Sequence, residues 1–333
     1  MLEPWLVAHE QLSVGVDLGG TKTEVALLRR WPGTARYEVL ERSRVPTPQA
    51  EGYAAIVEAT AALVERTIAA AGCSGLELPL GVGMPGSVTR REGVVKNSNT
   101  VSLNGRPFRQ DLEARLRRRV AFENDANCFA LAEARFGAAR EHHDGVVFGV
   151  ILGTGVGGGL VFFGRPWAGP QHLGGEWGHH AVGPWLSWDE AGRASAGREH
   201  GLGLSERGPC YCGKTGCLEL YLSGPAVERD YERRAGRRWP LARIAAERAA
   251  DEHAAGAISE MLEAFGRGLG NLISILDPSA VVLGGGVSNL DLLYTEGVAS
   301  VARYVFNDEL TTPILRHTLG DSAGVLGAAL LEI

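Results

Sequence analysis

The feature that most restricts the fold is a layout used twice. An apolar run from Leu12 to Leu18 breaks at Gly19-Gly20-Thr21-Lys22 and resumes over Glu24 to Leu28. About 135 residues later, Val146 to Leu152 breaks at Gly153-Thr154-Gly155-Val156-Gly157-Gly158-Gly159 and resumes over Leu160 to Phe163. Each reads as a buried strand, a glycine-rich turn and a returning strand. The repeat predicts an α/β fold of two similar halves facing each other across a cleft. Glycine is abundant enough to build it, at 46 of 333 residues, about twice the usual ~7%, and no Gly-X-Y period or low-complexity tract absorbs the excess.

The intervening segments fit the same class. A helix over about 51–71 stops at Gly72, and an apolar strand over 78–84 closes at Pro85-Gly86. A basic helix at 109–119 precedes a short strand at 120–122, and a further helix runs from Asn124-Asp125 through Phe136. Beyond a loop-like stretch come helices over 225–235 and 241–276, a strand over 280–283 ending in Gly284-Gly285-Gly286, and a last helix through Leu331. The expected division is a small α/β domain over 1–123, a larger one over 124–314, and a helix within 315–333 returning to the first.

Charge narrows the partners. With 33 Lys and Arg against 39 Asp and Glu the net charge is −6, which argues against nucleic acid. The richest basic stretch, Arg115 to Arg119, follows Leu112 and Leu116 at helical spacing and reads as the solvated face of an amphipathic helix. Nowhere do ~18 uncharged apolar residues run together, and the N-terminus lacks a basic segment followed by an apolar one. A cytoplasmic location without a membrane partner is expected.

The turns suggest phosphate chemistry. In the first, backbone amides freed by Gly19 and Gly20, with Thr21 and Lys22, can approach phosphate oxygens, while Asp17 at the strand end can hold hydrated Mg²⁺. A strand follows rather than a helix, so this is not a Walker A loop; a plain hairpin would use the same glycines. The second turn contains G-x-G-x-x-G at Gly153, Gly155 and Gly158, but the apolar LVFF follows where a dinucleotide fingerprint needs a helix. Two such hairpins suit one nucleotide triphosphate gripped from both sides. At Gly284 to Gly286 a purine or ribose could lie against bare backbone, and a tight strand-to-helix turn reads identically.

Two further sites carry side-chain chemistry. Asp125 stands where a strand gives way to a helix, as either an N-cap or a base for a sugar hydroxyl. Cys210, Cys212 and Cys217, spaced C-x-C-x4-C, offer three thiolates for a structural Zn²⁺. His179 is the expected fourth ligand, with His180 adjacent, and such a site would fix the Glu176 loop and Glu219. Cys73 and Cys128 read as small buried side chains.

In this order, VGVDLGGTKTEVALL, GVGMPGSV, FENDANCFALAEA, VILGTGVGGGLV, GGEWGHH, CYCGKTGCLE and VVLGGGVSN resemble the ROK family of repressors, open reading frames and sugar kinases, from about residue 12 onward. The resemblance implies an actin-like ATPase-domain fold of two ribonuclease-H-like α/β domains, with sugar and Mg-ATP in the cleft. It implies Asp125 as catalytic base and Asn124, Glu176, Glu219 and His179 as sugar ligands, with His179 also binding zinc beside Cys210, Cys212 and Cys217. The turns Gly19 to Lys22 and Gly153 to Gly157, Thr154 and Gly155 included, become the phosphate grip, and Gly284, Gly285 and Gly286 the adenosine side.

Within the family, DLGGTKTEV, RVPTPQ, GVVKNSNTVSLNGRPF and CYCG resemble bacterial fructokinases of the manno(fructo)kinase type, adding Asn97, Asn99 and Asn104 as sugar contacts. The implied reaction is ATP-dependent phosphorylation of D-fructose at O6, with mannose as a second substrate. The alternatives are a glucokinase or N-acetylhexosamine kinase and a non-catalytic sugar sensor; a homodimer is implied. Two departures stand out. His179 and Cys210 are 31 positions apart, making 185–208 an enlarged loop, and about eleven residues precede the first strand, too few for the repressors' helix-turn-helix.

Overall fold

The structure, a computed structural model, describes residues 10–89, 91–182 and 207–331, and also 186–188 and 194–196 as strand backbone. The elements run β1 (Gln11–Leu18), β2 (Lys22–Arg30), β3 (Tyr37–Pro46), α1 (Tyr53–Ala70), β4 (Leu80–Met84), β5 (Ser87–Val88), β6 (Val95–Lys96) and α2 (Phe108–Leu116). They continue with β7 (Ala121–Asn124), α3 (Asp125–Arg135), β8 (Val146–Leu152), β9 (Val156–Phe162), β10 (Arg165–Pro166), β11 (Leu186–Trp188) and β12 (Ala194–Ala196). The remainder is α4 (Glu219–Leu222), α5 (Gly224–Ala235), α6 (Leu241–Glu247), α7 (Glu252–Leu276), β13 (Ala280–Gly284), α8 (Glu296–Ala302), β14 (Ile314–Arg316) and α9 (Ala323–Ala328).

The chain divides into two compact units. One comprises 1–149, 159–175 and 317–333, the other 150–158 and 176–316. This partition differs from the expected boundary after residue 123. Helix α3 groups with the first unit because it packs on α9, and its Asn127 Oδ1 accepts the Leu160 N–H at 2.8 Å.

The first unit is built on a sheet ordered β3-β2-β1-β4-β7. Strand β1 pairs antiparallel with β2, placing Asp17 opposite Glu24, and parallel with β4. The sheet buries Val14, Val16, Val25, Leu27, Leu80 and Val82 against Ile56, Leu63 and Val64 of α1. On α9, the Val325 and Ala328 carbonyls approach β1 and β4 so closely that a Cβ on Gly15 or Gly81 would lie 2.1 or 2.0 Å from them. A side chain there would meet backbone, which can yield only if α9 moves as a whole.

The second sheet has the order β10-β9-β8-β13-β14. In the second unit, α7 buries one broad face, including Ile258, Met261, Phe265 and Leu269, and packs on α5, α6 and α8.

Several sequence expectations shift. Strand β3 was not foreseen, because Tyr37–Pro46 alternates exposed charge with half-buried residues and lacks an apolar run; its order comes from pairing along β2. Strand β9 starts at Val156, inside the glycine run, where a Cβ on Gly159 would meet the Ala126 carbonyl at 2.1 Å. The helix expected over 241–276 is two helices, since Asp251 caps α7 by accepting the His253 and Ala254 N–H groups at 2.9 and 3.0 Å. Helix α2 ends at Leu116, with Arg117 left-handed at φ 53°, and Arg115 pairs with Glu58 and Glu65 of α1 at 2.7 and 2.8 Å. Most of the enlarged 185–208 loop lies outside the described residues, apart from the antiparallel pairing of β11 with β12.

Gly81→Ala is expected to cost at least about 2 kcal/mol of stability by forcing α9 off the sheet. Urea unfolding measures it, and an unchanged midpoint would show that α9 can move aside.

Candidate functional site

The first glycine turn is held from outside itself. Within it, the Gly19 N–H reaches the Lys22 carbonyl at 3.0 Å. Thr47, just past β3, donates its hydroxyl to the Gly19 carbonyl at 2.7 Å and its N–H to the Thr21 carbonyl at 3.0 Å. Gln49 donates to the Gly20 carbonyl. These braces belong to RVPTPQ, which sequence reasoning used only as a family signature. Thr21 is exposed and Lys22 half-buried.

Asp17 lies at the end of β1, close enough to Gly324 that a Cβ there would sit 2.7 Å from its carboxylate. Burial, then the charges of Asp125 and Glu24, push its carboxyl up from 3.8 to about 7, against the opposing pull of Lys22 and Arg44. Glu24 is itself only 1% exposed and pairs with Arg42 at 3.0 Å and with Arg44.

Asn124 and Asp125 part company in role. Asn124 is the N-cap of α3: its Oδ1 accepts the Ala126 N–H at 2.9 Å, and its Nδ2 donates to the Gly86 carbonyl at 2.9 Å. Asp125 is therefore the first residue of the helix, and its Oδ1 accepts the same Ala126 N–H at 2.9 Å. Asn99 borders the first turn, its Oδ1 3.7 Å from where a Cβ on Gly20 would be. Asn104 has both amide atoms engaged with the Ser98 backbone at 2.9 Å, which makes it a brace of the 97–100 loop, and Asn97 is exposed at φ 57°. A pocket of about 350 Å³ opens beside Asn124, its lining including Met84, Arg109, Glu123 and His172.

The second unit gathers the other glycine runs. In the second turn the Gly153 N–H reaches the Gly155 carbonyl at 2.9 Å, and Thr154 is exposed. Gly285, at φ 81°, lies so near Leu152 that a Cβ would be 2.3 Å from its carbonyl, which sets the third glycine run against the residue that leads into the second turn. Glu219 Oε2 accepts the Val156 N–H at 2.9 Å, which ties a predicted sugar ligand to the turn itself. Glu176 precedes the short turn Trp177–His179 and is half-buried.

The Cys/His cluster assembles as its spacing suggested. One ligand atom each from His179, Cys210, Cys212 and Cys217 all lie within 4.8 Å of one another, with His180 outside the group. The Cys210 Sγ to His179 Nδ1 and Cys212 Sγ to Cys217 Sγ distances are both 3.6 Å. His179 Nε2 bonds to the Tyr211 hydroxyl at 2.9 Å, so both ring nitrogens are engaged. Just ahead of the cluster, Arg207 pairs with Asp230 at 2.6 Å and Glu260 at 2.8 Å.

Comparison with known proteins places these features in a lineage. The ROK family profile matches residues 13–333. An N-acetyl-D-glucosamine kinase from Vibrio atlanticus (strain LGP32) is 36% identical over 323 residues, 96% of this chain and 99% of the relative. Among solved structures, the ROK hexokinase from Thermus thermophilus aligns with TM-score 0.79 at 33% identity, covering 96% of this chain and 97% of that one. The ROK family glucokinase from Streptomyces griseus, solved with glucose and AMPPNP, aligns at 0.68 and 29% identity, over 96% and 98% of the two chains. The architecture is the actin-like ATPase fold of two α/β domains, and with these relatives it defines an ATP-dependent sugar kinase. The chain belongs to the ROK family. No helix among the described residues is long and apolar enough to cross a membrane.

A raised carboxyl pKa has a sign that can be checked. The folded protein keeps on Asp17 a proton that the unfolded chain releases near 3.8, so the ligand-free protein loses stability as pH climbs toward about 7, by at most about 4 kcal/mol. Asp17→Asn is expected to unfold at a higher temperature than the parent at pH 8, the gain vanishing near pH 4. A scanning-calorimetry series over pH measures this, and a gain that persists at low pH would contradict it.

Proposed function

We propose that the chain transfers the γ-phosphoryl group of ATP to a hydroxyl of an N-acetylhexosamine, with N-acetyl-D-glucosamine as the acceptor. The observation that carries the transfer is the division of labour at the start of α3. Asn124 caps the helix, and Asp125, its first residue, has its carboxylate oriented by the Ala126 N–H on Oδ1 at 2.9 Å, as a base for the proton of the attacking hydroxyl requires.

The choice of acceptor rests on the curated relatives, which are N-acetyl-D-glucosamine kinases at 36% identity. The expected D-fructose finds no support among them. Residues in the segments that suggested it also brace backbone: Thr47 and Gln49 hold the first turn, and Asn104 holds its own loop. D-Fructose phosphorylation at O6 is kept as the second reading, on the resemblance of those segments.

The remaining roles follow by chemistry. With the Gly19 and Gly153 N–H groups closing their own turns, the amides of Gly20 and Thr21 and those of Thr154 and Gly155 suit phosphate oxygens, and Gly284 to Gly286 suit the nucleoside. Asp17 fits a Mg²⁺ partner, because a carboxylate destabilised by burial and by Asp125 gains most from a cation. Bound Mg²⁺ would neutralise charge on the transferring phosphates. Zinc fits the Cys/His cluster: Zn–S bonds of about 2.3 Å in a tetrahedron put ligand atoms about 3.8 Å apart, against the 3.6 Å separations here. The Tyr211 bond to the far nitrogen of His179 would fix the ring for that role. Zinc closed on four protein ligands is structural.

Initial rates over a panel of N-acetylglucosamine, glucose, mannose and fructose with ATP test the acceptor; a clear preference for fructose would replace the first reading by the second, and no sugar-dependent ADP would remove both. Asp125→Asn is expected to lower kcat by about 10²–10⁴-fold while sugar still binds by calorimetry, and near-normal turnover would reassign the base. Elemental analysis is expected to find one zinc per chain. Freely titratable thiols on the purified protein would speak against it.

A further inference from the structure

We infer that the Cys/His cluster acts on the second glycine turn, with Trp177 and Glu219 as the positioning residues through which it does so. The inference deepens the proposed metal site and phosphate-binding role of this turn and rests on both.

The turn carries glycine at 153, 155 and 157 and an exposed Thr154, so it has few side chains with which to fix itself, and glycine loses the most backbone freedom on ordering. Within the turn the structure supplies the Gly153-to-Gly155 bond. The other restraints come from chain adjacent to the cluster. Two residues before His179, the Trp177 indole N–H donates to the Gly157 carbonyl at 2.8 Å from a side chain 1% exposed. At Gly178, next to His179, a Cβ would lie 2.1 Å from the Val156 carbonyl, so backbone presses directly on the turn. Two residues after Cys217, Glu219 accepts the Val156 N–H, and further on the Gly224 N–H donates to the Gly153 carbonyl at 2.9 Å.

The two cluster segments are also stitched to each other. The Val182 N–H meets the Gly216 carbonyl at 2.7 Å, the Leu218 N–H meets the His180 carbonyl at 2.9 Å, and Ala181 bridges Cys217. A metal joining His179 to Cys217 locks this pair of segments as one piece, and their continuations, Trp177 and Glu219, hold the turn at Gly157 and Val156. Loss of the metal frees the segments to separate, and the turn loses its shape with them. On this account the cluster sets the affinity for the nucleotide phosphates.

Hydrogen–deuterium exchange on the full-length protein tests this, with and without zinc removal by a chelator under reducing conditions. Metal removal is expected to speed exchange of the 153–159 amides, Val156 above all, by about tenfold or more. Trp177→Phe, which keeps the buried ring and removes the N–H, is expected to retain one zinc, to loosen the same amides, and to raise KM for ATP while KM for sugar stays within about twofold. Zinc present but turn exchange unchanged on its removal would overturn the inference and leave the metal site standing. A protein purified without metal would sink the metal site and the inference together. A Trp177→Phe effect confined to the sugar KM would also overturn it.

Discussion

A glycine-rich turn can present its amides to an anion only if something outside the turn decides where those amides point. The glycines allow close approach, and the same absence of side chains leaves them unable to hold a shape. Both turns in this protein meet that demand with hydrogen bonds from distant chain. In the first unit, Thr47 and Gln49 fasten the carbonyls of Gly19, Gly20 and Thr21 from beyond the edge strand β3. In the second, Trp177, Glu219 and Gly224 fasten Gly153, Val156 and Gly157. The repeated layout seen in the sequence therefore extends to the principle of bracing, although the bracing residues share no pattern.

This explains what could be read from the sequence and what could not. The strand-turn-strand units, the strand-to-helix passage at Asn124 and Asp125, and the thiolate spacing of Cys210, Cys212 and Cys217 are local. Their geometry follows from a few neighbouring residues, and structure and sequence agree on them. Residues whose work is done across long separations left no such trace. Thr47 lies 28 positions from the carbonyl it holds, and Glu219 lies 63 from the amide it accepts. A Thr between two prolines, the Gln after the second, or a Glu two residues past a cysteine looks the same whether it holds a turn or faces solvent.

Amide side chains were the hardest to place. Asn104 and Asn124 read as sugar contacts, and each also gives one donor and one acceptor interaction to backbone, one closing a loop and the other starting a helix. An Asn has the right chemistry for a sugar hydroxyl and for an orphan N–H alike. The deciding factor is the local backbone. Acceptor identity is equally hard to read, since the segments resembling fructokinases are the ones that brace the first turn and its neighbouring loop.

The contact of α9 with β1 and β4 bears on how the chain is made. Gly15 and Gly81 lie in strands near the start of the chain, and the backbone that covers them comes from Val325 and Ala328, near its end. During synthesis β1 and β4 emerge well before α9 and must wait, incompletely covered, until that helix has left the ribosome. Strands β1 and β4 are thus fully packed only after α9 has been made, and a chain truncated before α9 would leave that sheet open to aggregation.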